Sequence, residues 1–247
     1  MTGTLVLVTG ASSGIGKATA ERLARRGATV LLLARSADKL AEVAAAIEAV
    51  GGKAHAYPVD LADTGATQAT AAAIISTHGV PDIVVNNAGA GRWLPLIETS
   101  AEEARQMIEL PYLAAFAVTR AFLPGMLKRG SGHIVSITSP ASHIVWPNAS
   151  AYIAARFALR GFTEALRAEL RGTAIAVTLV TLGTVASPYW EHNPGSRQYL
   201  PKVPRWLLPE LSVDQAAETI VEAIVHRRAR VVRPAFYRVL FALGLNA

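Results

Sequence analysis

Cysteine is absent from the 247 residues, which removes disulfides, thiolate nucleophiles and cysteine metal sites together. Any chemistry is left to oxygen and nitrogen groups or to a cofactor, and a cytoplasmic setting is the default expectation. No uninterrupted apolar run reaches the length of about 18 residues that a membrane span requires, so none is expected. The apolar stretch Leu5 to Val8 is too short for the core of a signal peptide, and no basic segment precedes it. The six histidines show no metal-ligand spacing, and no metal is expected. No break in composition divides the chain, and no nucleic-acid module is legible. The net charge of +6 is modest, with basic residues scattered until HRRARVVR at His226 to Arg233, and most of it is assigned to solvated surface.

What is present is a chain 51% hydrophobic and 17% charged, long enough to bury a full core. Apolar, β-branched runs read as buried strands at Leu5 to Thr9, Thr29 to Ala34, Ala54 to Val59, Asp82 to Asn86, His133 to Thr138, Ala174 to Val180 and, shorter, Arg230 to Val232. Between them Gly14 to Arg26, Ala37 to Ala49, Thr64 to Thr77, Ala101 to Arg129, Ala149 to Arg171 and Val213 to His226 have helix-forming composition. Strand and helix alternating this regularly imply crossover connections. The predicted fold is α/β: one doubly wound Rossmann-type domain over residues 1–247, with a mainly parallel, seven-stranded sheet and helices on both faces.

The rhythm breaks after Val180. Residues 184–211 form a Pro- and aromatic-rich stretch without a clear period, longer than an ordinary connection and therefore a candidate substrate cover. Its aromatics, Tyr189, Trp190, Tyr199 and Trp206, would either line an apolar substrate or pack on the core or another subunit. In the tail, residues 234–247, Phe236, Val239, Leu240 and Leu243 fall on one helical stripe behind five arginines between Arg227 and Arg238. Peripheral membrane contact and packing on the core or across a dimer both fit that pattern.

TGASSGIG (Thr9 to Gly16) joins the first strand to the first helix. Gly10, Gly14 and Gly16 let the chain turn tightly and bring backbone N–H groups and a helix N-terminus to a pyrophosphate. Further on stand NNAG at Asn86 to Gly89, a serine ending the fifth strand, and in SAYIAARFAL a tyrosine, Tyr152, with a basic residue, Arg156, one helical turn later. In this order and spacing the motifs resemble the signatures of the short-chain dehydrogenase/reductases, over nearly the whole chain up to about Val232.

That resemblance implies a nicotinamide cofactor that carries a hydride while the protein moves a proton and polarises an oxygen. It makes Tyr152 the acid/base and Ser139, thirteen positions earlier, the group that bonds the substrate oxygen, in preference to the nearby hydroxyls of Thr138 and Ser142. A phenol parts with its proton only well above neutrality, so acid/base work calls for a fixed positive charge nearby. The family uses a lysine that also binds the nicotinamide ribose; this chain has Arg156, which keeps the charge and the donors but does not readily relay a proton. The family's asparagine in the helix before the fifth strand falls at Pro111. The asparagine is associated with a local break whose freed carbonyl holds a relay water, and a proline also breaks a helix, so a break is predicted there.

The resemblance further implies cofactor contacts from Gly10, Ser12, Ser13, Gly14, Ile15 and Gly16 in the turn, from Asp60 and Leu61 after the third strand, and from Asn87, Ala88 and Gly89 after the fourth. Gly183 and Val185 in LGTVAS, with Tyr152 and Arg156, complete the set. After the second strand Arg35 stands where an acid would bind the ribose hydroxyls of NAD, which favours NADP(H) over NAD(H). The expected protein is an NADP-dependent homodimer or homotetramer interconverting an apolar alcohol and its ketone or aldehyde. The alternative is a cofactor-binding protein without turnover that acts as a sensor or partner-binding module.

Overall fold

The computed structural model describes residues 1–201, 204 and 206–243; Lys202, Val203, Arg205 and residues 244–247, parts of the cover and tail segments, lie outside the described residues. Seven strands form one sheet in the order β3-β2-β1-β4-β5-β6-β9, every neighbouring pair parallel. They are β1 (Leu5–Thr9), β2 (Thr29–Ala34), β3 (Lys53–Pro58), β4 (Ile83–Asn86), β5 (Gly132–Thr138), β6 (Ile175–Leu182) and β9 (Arg230–Arg233). Both faces of the central strands are buried, so side chains of alternating direction feed two cores. Val6, Val8 and Leu32 meet α1 (Gly14–Arg25), α2 (Ala37–Glu48) and α8 (Val213–Val225). Leu7, Leu31 and Ile134 meet α3 (Thr64–His78), α5 (Ala114–Arg129) and α6 (Ser150–Glu169). Each fully buried leucine of this kind contributes about 1.5–3 kcal/mol. The predicted doubly wound α/β sheet is the one found, with element ends moved by one or two residues.

Strand order reverses between β1 and β4, and at such a switch point the loops leaving the carboxyl ends of the strands splay apart and open a crevice. The segments that follow the strands, which carry the predicted site residues, therefore lie along one edge of the sheet.

Three segments differ from expectation. The helical region from Ala101 to Arg129 is α4 (Ala101–Ile108), a π turn at Glu109–Leu113, and α5. Pro111 sits inside the π turn because it has no N–H for the i−4 carbonyl, so the break predicted there is present. A capping box of Ser100 and Glu103 starts this run, and it packs along α3 and α6. By length and composition it is, among the described residues, the one helical run that could cross a membrane.

Residues 184–211 hold more structure than the missing period suggested. A two-stranded parallel pair, β7 (Val185–Ala186) and β8 (Leu211–Ser212), closes the base of the loop, with α7 (Tyr189–His192) and a 3-10 turn (Ser196–Tyr199) between.

In α9 (Phe236–Ala242) the docking face is not the predicted stripe. Tyr237 is buried and Phe241 stacks on His143 at 4.1 Å between centroids, whereas Val239 is 50% and Leu243 63% exposed. Ring stacking at i, i+4 displaced the aliphatic pattern from the interface. Of the nearby arginines, Arg227 donates to the carbonyls of Gly132 and Ala174, and Arg230 pairs with Glu164, so they serve the fold.

Candidate active site

The site is built on the turn after β1. Thr9 Oγ1 donates to Val85 O (3.3 Å) and accepts the N–H groups of Asn87 and Ala88 (both 3.0 Å), tying NNAG to the turn. Asn87 Nδ2 donates to Thr9 O at 3.0 Å. The chain passes so close to itself that a Cβ on Gly16 would lie 2.1 Å from the Gly10 carbonyl oxygen, and Gly14 holds φ +51°. Helix α1 begins at Gly14 after Ser13, whose side chain makes no capping bond. Its first N–H groups are thus left for an anionic group from outside the helix.

Arg35 is exposed at the end of β2. Asp60 is exposed and accepts the Ala62 N–H at 3.0 Å, while Leu61 is buried in the core.

At the other end of the crevice lies a cavity of about 390 Å³. It brings together Ile15, Asn87, Gly89, Ser139, Tyr152, Arg156, Gly183 and Val185 of the predicted residues. Gly10, Ser12, Ser13, Gly14, Gly16, Arg35, Asp60, Leu61 and Ala88 lie outside its walls. Of the three hydroxyls at and after the end of β5, Ser139 is half-buried on the wall, its Oγ accepting the Ala141 N–H at 3.2 Å. Ser142 is fully buried and donates to the Ser139 carbonyl at 2.7 Å, a structural bond. Thr138 also lines the cavity, and its buried hydroxyl has no hydrogen-bond partner among protein atoms.

Tyr152 and Arg156 are both buried on the first turns of α6. The guanidinium carbon lies 4.8 Å from the Tyr152 ring centroid, a cation over an aromatic face. Its Nε has no partner, and its Nη atoms fill the space beside Gly89, where a Cβ would come within 3.0 Å of Nη2. Arginine's larger fork is accommodated because position 89 has no side chain.

The loop segment is tied over the cavity through two residues that follow NNAG. The Tyr189 hydroxyl donates to Gly91 O; the Gly91 N–H donates to Asn193 Oδ1 at 3.3 Å; the Trp93 N–H donates to Ser196 Oγ at 3.1 Å. Asn193 Nδ2 returns to the Tyr189 carbonyl at 2.8 Å. Burial, reinforced by the neighbouring Tyr152 hydroxyl and opposed by Arg156, pushes the Tyr189 phenol well above its ordinary range, so it stays protonated and donates. Gly91 also approaches Tyr152 so closely that a Cβ there would meet its ring at 3.1 Å.

Sequence reasoning missed Trp93 and Trp146 as wall residues, the Asn193 and Ser196 bonds, and Tyr237. Trp93 carried a signal in standing four residues after NNAG; Tyr237 carried none. Gly183 is required by the tail as well as by its place on the wall: a Cβ there would lie 2.9 Å from both Pro234 Cδ and Tyr237 Cε2.

A glycine turn with free helix N–H groups, joined by one crevice to a buried tyrosine and arginine, defines a nucleotide-binding oxidoreductase site on a Rossmann-type sheet. The chain belongs to the short-chain dehydrogenase family, which it matches over residues 4–196. It is 38% identical over 237 residues to an uncharacterized oxidoreductase of Mycobacterium tuberculosis, covering 94% of this chain and 67% of that one. It is 33% identical over 259 residues to a fatty acyl-CoA reductase of Acinetobacter baylyi, covering 99% and 85%. Among solved structures, a metagenomic short-chain oxidoreductase in complex with NADP superposes with TM-score 0.78 at 31% identity, covering 94% of this chain and 97% of that one. A short-chain dehydrogenase/reductase from Burkholderia phymatum in complex with NAD superposes with TM-score 0.85 at 25% identity, covering 98% and 92%.

Proposed function

We propose that the protein is an NADP-dependent oxidoreductase that interconverts an apolar alcohol and its ketone or aldehyde. The observation that carries this reading is the convergence of Ser139, Tyr152 and a buried Arg156 on one cavity at the end of the glycine turn's crevice. The turn fits a dinucleotide. Gly10 and Gly16 let the turn pack tightly on itself and on NNAG, the uncapped start of α1 offers N–H groups to phosphates, and the unpartnered Arg156 Nε is a donor without an acceptor. Gly10, Ser12, Ser13, Gly14, Ile15 and Gly16 would hold the pyrophosphate, Asp60 and Leu61 the adenine side, and Asn87, Ala88, Gly89, Arg156, Gly183 and Val185 the nicotinamide end. The exposed Arg35 supports a 2′-phosphate and hence NADP(H) over NAD(H).

A bound nicotinamide would supply or take the hydride at the substrate carbon. In the reducing direction Ser139 donates a hydrogen bond to the carbonyl oxygen and Tyr152 gives that oxygen its phenolic proton; in the oxidising direction Tyr152 takes the proton back. Arg156, fixed over the Tyr152 ring, stabilises negative charge on the phenolate that remains. Trp93 and Trp146 with Leu200 and Leu208 give the cavity an apolar wall, which supports an apolar substrate, as does the similarity to the fatty acyl-CoA reductase of Acinetobacter baylyi. We place the protein in the cytoplasm as a single-domain homodimer or homotetramer. The docking of Tyr237 and Phe241 supports a tail that packs on the core over one that contacts a membrane.

A second reading, cofactor binding without turnover, is favoured by one observation: a buried Arg156 stands at the family's lysine position, and a guanidinium does not readily relay a proton. NADPH oxidation against a panel of apolar ketones and aldehydes separates the two, with Tyr152→Phe as the control. The enzyme reading expects turnover lost in Tyr152→Phe with NADPH still bound; tight NADPH binding with no Tyr152-dependent turnover on any substrate establishes the second.

A further inference from the structure

Beside the cavity at Tyr152 lies a second, open cleft of about 540 Å³. Leu96 and Ile97 form one side of it, Val145 and Trp146 of the loop after β5 another, and Ile153 and Phe157 of α6 its floor. No charged side chain lines it among the described residues. Its rim carries the most solvent-exposed large aliphatics of the site region, Ile97 at 95% and Leu96 at 73%. Apolar surface of this extent gains free energy from whatever covers it.

The cleft adjoins the site. Trp146 lines both cavities. From Tyr152 the aromatic rings run outward in a row, Trp93 at 5.5 Å and Trp146 at a further 6.0 Å between centroids. A row of packed aromatic rings thus links the phenol that faces the reacting oxygen to the wall of an apolar groove open to water. A membrane surface or a second copy of the chain would need the rim but not a wall shared with the site.

We propose that this cleft binds the distal part of a long aliphatic chain, so that the substrate is a straight-chain aldehyde, ketone or alcohol with its oxygen at Tyr152. The inference rests on the reading of the active site given above and narrows its apolar substrate to a long-chain one. Shorter substrates would fill only the inner cavity, and each further methylene drawn across Trp146 would leave water.

The test is the chain-length dependence of NADPH-coupled reduction from butanal to tetradecanal. For chains that reach the cleft, kcat/KM is expected to rise roughly fourfold per methylene, the gain from burying one such group. The ratio of dodecanal to butanal kcat/KM within each protein is then compared among the native chain, Ile97→Asp and Val145→Asp. A drop of about tenfold or more in that ratio is expected in both variants, because a carboxylate in the groove forfeits the gain of several methylenes. The proposal is overturned by a flat chain-length dependence, or by a ratio that both variants leave unchanged. It is equally overturned if Ile97→Asp dissociates an oligomer, or abolishes binding to anionic vesicles, while keeping the ratio: the cleft would then be a subunit or membrane contact. Dodecanol and butanol titrations followed by tryptophan fluorescence decide the matter without turnover. Dodecanol binding weakened about tenfold in Ile97→Asp supports the groove even if no aldehyde is reduced, the result that sinks the active-site reading alone, and equal binding overturns it.

Discussion

Lowering the pH should destabilise the fold through one residue at the root of the strand that presents Ser139. His133 lies buried in β5, its Nε2 2.7 Å from Thr178 Oγ1. Thr178 gives its single hydroxyl proton to the Arg228 carbonyl at 2.7 Å, so toward His133 it acts as acceptor, and the imidazole is held neutral with its proton on Nε2. Burial, and secondarily the charge of Arg227, hold the His133 pKa down to about 4 from the ordinary 6.5. The unfolded chain therefore takes a proton that the folded chain refuses. Stability from this group is complete above the ordinary histidine value and is lost as pH falls from there toward 4. Between about pH 7 and pH 5 the loss comes to about 2 kcal/mol. His133→Gln keeps an N–H donor within reach of Thr178 and removes the titration. With a urea slope of about 3 kcal/mol/M, the midpoint of the native chain should fall by roughly 0.7 M more than that of the variant over the same interval. His143, also held down to about 4, contributes to both proteins and cancels in the comparison. Equal losses in the two would refute the assignment of a neutral, proton-refusing His133.

Two further outcomes follow from the site. Tyr189→Phe removes the bond to the Gly91 carbonyl and leaves that oxygen unpaired, at a cost of roughly 1–3 kcal/mol. Hydrogen exchange at the Gly91 and Trp93 amides should quicken and KM rise more than kcat falls; unchanged exchange would show that the loop is held by something else. Arg35→Ser should weaken NADPH binding about tenfold or more, the worth of a charge-assisted bond, and leave NADH binding as it was. An equal effect on both cofactors would remove the basis for the 2′-phosphate.

The sheet was legible because its central strands are buried on both faces and so read as unbroken apolar runs, and because the glycines of TGASSGIG stand where the chain takes a positive φ or, at Gly16, leaves no room for a Cβ. Pro111 was legible as a break because its missing N–H acts locally, although its form as a π turn depends on packing against α6. Tyr152 and Arg156 were placed by helical register alone, but the guanidinium's position over the ring depends on the empty volume at Gly89, which is far away in sequence. The latch from Tyr189, Asn193 and Ser196 was not legible, since its partners are main-chain groups of Gly91 and Trp93 and any residue offers those. The face of α9 was misread because periodicity counts aliphatic residues and not the ring stacking of Phe241 on His143.

The contact of Pro234 and Tyr237 with Gly183 makes the tail a backing plate for the end of the cavity that Gly183 lines. The proposed reacting groups stand on α6 and just after β5, yet one wall of the chamber is set by a segment more than fifty residues downstream of Gly183. Substitutions at Tyr237 or Phe241 can therefore reshape the chamber while the proton-handling pair stays untouched, and selection for a new substrate has a place to act that leaves the reaction itself alone.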